Sequence, residues 1–203
     1  MRNQRLRKSW LAAVATLVAV AAAASLYAAW SGPAAQAARS STEVLRLDVA
    51  EDPTRFVFAP TPVDADGLPA YGNYFITQGY LYPEGTLNGS DGVLPDGRPE
   101  FPEKVVGEWT CWGSHVGQGA KTKTGPIVVT TQLYRLGKQA GDRTVVTEGY
   151  ELADVGVPVK RAITGGTGRF RSAGGEQVQR LLGFGGSNGV KLRVMLRIDG
   201  GSE

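Results

Sequence analysis

After residue 40, apolar and polar residues alternate over short runs, and no helix-length stretch carries apolar residues at positions i, i+3, i+4 and i+7. A period of two is typical of half-buried β-strands. The pattern predicts nine strands, at residues 43–49, 55–58, 74–82, 104–112, 127–136, 143–152, 159–164, 176–184 and 190–198. In the last of these one face is apolar and the other mostly basic, so we expect one buried and one wet face.

Clusters of Gly, Pro, Asn and Asp separate the predicted strands and indicate turns at 138–142 and 185–189. Two connections, 59–72 and 83–102, are long and proline-rich, as functional lids or mobile flaps often are. Eight or nine short antiparallel strands favour an all-β sandwich or closed barrel. We favour a closed barrel because it leaves no edge strand exposed.

The first 37 residues have the composition of an export signal. Arg2, Arg5, Arg7 and Lys8 precede an uncharged apolar run at 10–30, and the small residues Ala35 and Ala37 fit a cleavage site. The alternative is an uncleaved membrane anchor, since the run approaches the roughly 20 residues that span a bilayer. We therefore predict a signal or anchor at 1–37, a linker at 38–42, a folded domain at 43–199 and a tail at 200–203. The protein would be secreted, or anchored on the outer side of the cytoplasmic membrane.

The net charge of +3 comes from this N-terminal segment. Four of the 22 basic residues lie there, which leaves 18 basic against 19 acidic residues in the remainder. These charges are interleaved, so no nucleic-acid partner is predicted. The single cysteine, Cys111, excludes an intramolecular disulfide, and with one histidine, His115, no Cys- or His-based metal site is expected.

The segment 162–182 is the most distinctive in the chain. A strand end runs into a loop with Gly165, Gly166 and Gly168, then the single aromatic Phe170, and a new strand follows. Glycines this close together let one strand leave a sheet and the next re-enter it over a buried ring. The loop lacks the spacing of the phosphate-binding motifs and precedes a strand instead of a helix, so we interpret it as structural.

This segment resembles the pattern A-I-T-G-G-x-G-x-F-x-x-A-x-G-x-V of the allene oxide cyclase/dirigent barrels, in particular their bacterial cyclase-like members. The matching positions are Ala162, Ile163, Thr164, Gly165, Gly166, Gly168, Phe170, Ala173 and Gly175. Residues 78–83 and 107–113 resemble strands of the same family. The resemblance implies a calycin-like, eight-stranded antiparallel barrel whose lumen takes a hydrophobic small molecule without a metal or organic cofactor. It also implies a possible homo-oligomer, a trimer or dimer.

Two carboxylates are candidates for acid or base chemistry. The family places a carboxylate on its first strand. In this chain Arg46 and Asp48 flank that place, closely followed by Glu51 and Asp52. The apolar alternation of that strand, however, would put Asp48 outside, as a solvated strand residue. Glu148 shares a period-two face with apolar residues, which predicts that it points inward, where burial would raise its pKa. The alternative is that it forms an ion pair with a neighbouring arginine.

Aromatic and thiol side chains on the strands could line a pocket. The predicted ligand-binding residues are Tyr80, Trp109, Cys111, Tyr134 and Tyr150. Two functions stay open: an isomerase or cyclase that guides cyclisation, isomerisation or stereoselective coupling, and a non-catalytic carrier or structural envelope protein.

Overall fold

The computed structural model describes residues 42–137, 139–186 and 188–200. These residues form nine strands: β1 (Glu43–Glu51), β2 (Val57–Phe58), β3 (Tyr74–Pro83), β4 (Gly107–His115), β5 (Pro126–Leu136), β6 (Thr144–Leu152), β7 (Pro158–Gly166), β8 (Gly174–Phe184) and β9 (Val190–Asp199). Helical structure in this part of the chain is limited to four 3-10 turns, at Pro53–Arg55, Pro102–Lys104, Gly119–Lys121 and Gly168–Phe170. None of them is long and apolar enough to span a membrane. The predicted signal segment 1–37 lies outside the described residues.

The sheet closes on itself. Neighbouring strands pair antiparallel in the order β1-β9-β8-β7-β6-β5-β4-β3, and β1 also pairs with β3, from Leu47 opposite Pro83 to Glu51 opposite Gly79. The two-residue strand β2 continues along the same side of β3, with Val57 opposite Ile76. The prediction of an all-β, closed, eight-stranded antiparallel barrel is therefore confirmed.

Two strands begin later than predicted because proline-initiated turns occupy their expected starts. Pro53–Arg55 is a 3-10 turn capped by the Asp52 carboxylate, which accepts from the Thr54 amide at 3.0 Å. Pro102–Lys104 forms a second such turn. As a result β4 is displaced toward the C-terminus and carries His115 into the barrel wall.

The glycine loop has the structural role that its sequence indicates. Gly168 has φ +59°, and a Cβ there would lie 1.9 Å from the Asp142 carbonyl oxygen. A Cβ on Gly166 would lie 2.6 Å from the Phe170 carbonyl oxygen. Phe170 is fully buried beneath this loop, in the apolar cluster inside the barrel. Only glycine fits both the backbone conformation and the close approach.

The long connection 83–102 does not act as a lid over the lumen. Its Leu87 and Val93 pack on the outer wall of the barrel against Ala50 and Tyr82, in a second apolar cluster. The Tyr82 hydroxyl donates a hydrogen bond to the Gly92 carbonyl at 2.6 Å. The connection thus covers part of the wall formed by β1 and β3.

Candidate functional site

A cavity of about 360 Å³ occupies the end of the barrel where β1 ends and β9 begins. We call it the lumen cavity, and its volume is within the range of small-molecule sites, roughly 300–1,000 Å³. Its wall is mainly apolar and aromatic: Pro53, Phe56, Phe75, Trp109, Ala120, Ile127, Val128, Leu152, Ala153, Leu181, Phe184 and Val190. The polar lining residues are Glu51, Thr77, Cys111, His115, Glu151 and Asn188.

Glu51 is the last residue of β1 and points into the lumen, as does Val49 two positions earlier. One carboxylate oxygen accepts a hydrogen bond from the Val190 amide at 2.7 Å. Burial raises the pKa of this carboxyl group, and the nearby Glu151 and Asp52 carboxylates raise it further. Hydrogen bonds from the Val190 amide and the Thr77 hydroxyl lower the pKa, but the net shift is upward. Glu51 is therefore suited to hold a proton closer to neutral pH than an ordinary glutamate.

Two other titratable side chains of the cavity are neutral. Burial raises the pKa of the Cys111 thiol well above its usual value, and the thiol donates to the Glu151 carboxylate at 3.4 Å. Burial lowers the pKa of His115, whose Nδ1 lies 3.2 Å from the Asn73 carbonyl oxygen. A neutral imidazole protonated on Nδ1 satisfies this contact.

Below the cavity, a hydrogen-bonded network crosses the middle of the barrel. The Glu151 carboxylate accepts from the Thr130 hydroxyl at 2.7 Å and from the side-chain amides of Gln132 and Gln179, each at 2.9 Å. Gln132 also accepts from the Tyr134 hydroxyl. Gln177 joins the network by donating to Tyr134 at 2.9 Å. These contacts fill the lumen with polar groups that partner one another.

Arg161 on β7 is the cation of this network. Its side chain is fully buried and donates to the backbone carbonyls of Gly149, Tyr150 and Thr130 at 2.9–3.1 Å. Its guanidinium also lies 3.9 Å from the Glu151 carboxylate. A Cβ on Gly149 would lie 3.2 Å from the Arg161 side chain, so glycine there leaves room for the guanidinium.

Two solved structures share this architecture. The pterocarpan synthase dirigent protein PsPTS1 is 17% identical, with a TM-score of 0.56 over 80% of this chain and 97% of its own. A second one, GePTS1, is also 17% identical, with a TM-score of 0.51 over 82% of this chain and 93% of its own. This chain has the dirigent-barrel fold. The resemblance of its glycine segment to the allene oxide cyclase/dirigent barrels is thus confirmed for the fold.

A pyocyanin demethylase also aligns with the dirigent-like barrel, at 15% identity and a TM-score of 0.47, over 76% of this chain and all of its own. No protein-family model and no curated protein matches the sequence.

The dirigent-like barrel brings three of the five predicted ligand-binding residues into its interior. Trp109 and Cys111 line the lumen cavity, and Tyr134 lies deeper, in the polar network. The other two lie outside. Tyr80 points away from the lumen and donates to the Gly97 carbonyl at 2.9 Å, and Tyr150 is 52% exposed on the outer face.

The predicted inward orientation of Glu148 is wrong. Its side chain is exposed, whereas Val145, Thr147 and Glu151 on the same strand are buried. The apolar residues Val146 and Tyr150 suggested the opposite face. The face toward the lumen is the more polar one, because the network provides hydrogen-bond partners there.

Asp48 points out of the lumen, as the apolar alternation of β1 predicts, yet it is fully buried instead of solvated. It accepts from the amides of Gly85 and Leu87 at 2.8 and 2.9 Å and pairs with Arg193 at 2.8 Å. Asp48 thereby fastens the connection 83–102 to the wall.

Sequence reasoning missed Glu151, Arg161 and the three glutamines of the network. It placed Glu51 close to the expected carboxylate position without assigning it a role. A signal was present for Glu51, because the period of two that buries Val49 also turns Glu51 inward. Gln177 and Gln179 likewise occupy alternate positions of one strand face.

Among the described residues, no group of three or more His, Cys, Asp or Glu side chains is arranged to hold a metal ion.

Proposed function

We propose that the dirigent-like barrel binds a largely apolar small molecule in its lumen cavity and that Glu51 exchanges a proton with this ligand. The observation that carries the proposal is a buried carboxyl group in an otherwise mainly apolar cavity of about 360 Å³. Cavities of this kind commonly place a few polar groups against an apolar ligand. A carboxyl group with a raised pKa is a typical acid or base in such a site.

The chemistry that fits is isomerisation or cyclisation. The protonated Glu51 carboxyl can deliver its proton to an oxygen of the ligand, and the resulting carboxylate can take a proton from a neighbouring carbon. The protein ends in the state in which it began, so no external reductant or oxidant is needed. The apolar wall excludes water and holds the ligand in one conformation, which favours a single product.

A non-catalytic carrier is the second candidate. It is supported by the Val190 amide, which donates to one oxygen of Glu51, and by the Glu151 carboxylate, whose hydrogen bonds come from side chains of the barrel. In a carrier Glu51 would only anchor the ligand and the start of β9.

Binding in the lumen can be tested with a matched pair of tryptophan substitutions on β5. Val128 lines the cavity, whereas Val129 is 41% exposed on the outer face. We expect the neutral fluorophore N-phenyl-1-naphthylamine to bind the wild type and Val129→Trp, and to lose at least tenfold in affinity for Val128→Trp. Circular dichroism should show that both variants are folded. Equal binding by the two variants would place the fluorophore outside the lumen and contradict the proposal.

Catalysis can be separated from carriage with Glu51→Gln and the exposed Glu148→Gln. Each protein is incubated with a small-molecule extract, and isomers are followed by chromatography with mass detection. The enzyme hypothesis expects compounds that change retention time without changing mass in the wild type and Glu148→Gln, but not in Glu51→Gln. Identical profiles for all three proteins would favour the carrier.

A further inference from the structure

The lumen cavity has an unbalanced charge. Its lining includes two carboxyl side chains, Glu51 and Glu151, and no lysine or arginine from the described part of the chain. Its one histidine, His115, is neutral because burial lowers its pKa. The cavity therefore offers no positive side chain to an anionic ligand.

The neighbouring carboxylates have partners of their own. Glu151 has Arg161 at 3.9 Å and four side-chain donors, and Asp52 has Arg55 at 2.7 Å. Glu51 differs from both. Within the described part of the chain it forms no ion pair, and its hydrogen bond at 2.7 Å comes from a backbone amide, that of Val190.

The groups around Glu51 suit a cation. The rings of Phe56 and Phe75 stack with centroids 5.6 Å apart, and Trp109 and Phe184 line the same cavity. Aromatic faces attract cations, most strongly where water is excluded. The Thr77 hydroxyl is buried in the same wall, near enough to Glu51 to lower its pKa. A hydroxyl that donates toward the Glu51 carboxylate keeps its acceptor lone pairs, so Thr77 can still accept from a ligand N–H group.

We propose that the ligand of the lumen cavity is a hydrophobic amine whose protonated nitrogen pairs with Glu51 while its apolar body lies against the aromatic wall. This inference rests on the proposed binding function and names its ligand class. It takes Glu51 as the carboxylate and requires no proton transfer, so it applies to a carrier and to an enzyme in which Glu51 acts first as the base. A ligand with a carboxylate head would meet two carboxyl groups and no free cation, and is disfavoured by like-charge repulsion.

The test displaces bound N-phenyl-1-naphthylamine with decylamine, decanol and decanoate at pH 7, below micellar concentrations. These competitors have the same chain length and differ in the charge of the head group. We expect decylamine to displace the fluorophore at a concentration at least tenfold lower than decanoate, with decanol between them. Glu51→Gln should reduce this ratio to threefold or less, and the exposed Glu148→Gln should leave it unchanged.

The outcomes distinguish failure of the amine inference from failure of the proposed binding function. Fluorophore binding in the lumen with no preference for decylamine, or with a preference that survives in Glu51→Gln, overturns the amine inference and leaves the binding function standing. Preferential displacement by decanoate also overturns it. Equal affinity of the fluorophore for Val128→Trp and Val129→Trp would contradict the proposed binding function, and the amine inference that rests on it.

Discussion

Glu148 and Glu151 lie on the same strand and project to opposite sides of the barrel wall. Glu148 is exposed and has a weak contact with the Thr131 hydroxyl at 3.4 Å. Glu151 is buried and joins side chains from β4, β5 and β8. Two identical residues three positions apart thus differ almost entirely in environment, which makes them a matched pair for experiment.

Replacing Glu151 with glutamine should destabilise the fold. The substitution removes the charge that faces the buried Arg161 guanidinium, and it presents an NH2 group to donors that need an acceptor. Loss of one member of a buried ion pair costs about 3 kcal/mol. Urea unfolding should show this decrease in the free energy of unfolding for Glu151→Gln and no significant change for Glu148→Gln. Equal values for the two variants would contradict the assigned network.

Asp48→Asn should weaken the attachment of the connection 83–102. Asp48 accepts from two backbone amides and pairs with Arg193, whose side chain is 26% exposed and so partly screened by solvent. We expect a loss of about 2 kcal/mol in the free energy of unfolding, and faster proteolysis within 83–102. The control is Asp96→Asn, which removes an exposed ion pair with Arg98 in the same connection and should leave stability unchanged.

The structural role of the glycine loop can be tested with Gly168→Ala. At φ +59°, with the Asp142 carbonyl oxygen 1.9 Å from where the alanine methyl group would lie, the backbone is forced to move. A loss of about 2 kcal/mol or more is expected in thermal or urea unfolding. Gly174→Ala is the control, because no atom lies within 4 Å of its added methyl group. A Gly168→Ala variant as stable as Gly174→Ala would show that the loop tolerates a side chain.

More of the fold than of the candidate site could be predicted from the sequence. Alternation along the strands predicted eight or nine strands in a closed barrel or a sandwich, with the barrel favoured. The resemblance of the glycine segment around Phe170 to the allene oxide cyclase/dirigent barrels implied the number eight. The orientation of β6 could not be predicted in this way. Its lumen face carries Glu151, and the partners that make this carboxylate favourable inside come from β5, β7 and β8.

The burial of Asp48 on the outer face of the barrel wall could not be predicted from strand periodicity either. The alternation of β1 places it outside the lumen, but its burial depends on a connection that begins 35 residues later, at Pro83. Hydrophobic periodicity describes a strand and its own two faces. It contains no information about which loop covers the outer face, so sequence reasoning expected a solvated carboxylate where the structure has a buried ion pair.

The raised pKa of Glu51 predicts how stability changes with pH. Because burial raises this pKa above its ordinary value of 4.5, the folded protein binds the proton more tightly than the unfolded chain does. The stabilisation from Glu51 protonation is fully present below pH 4.5 and is lost as the pH rises through the folded-state pKa. Glu51→Gln lacks this titration, so its free energy of unfolding relative to the wild type should increase as the pH rises from 4.5 toward neutrality. Urea unfolding of both proteins across this range measures the difference, with Glu148→Gln expected to follow the wild type. A difference that stays constant would mean that folding does not shift the pKa of Glu51, and one that decreases would mean that folding lowers it; either result contradicts the raised pKa.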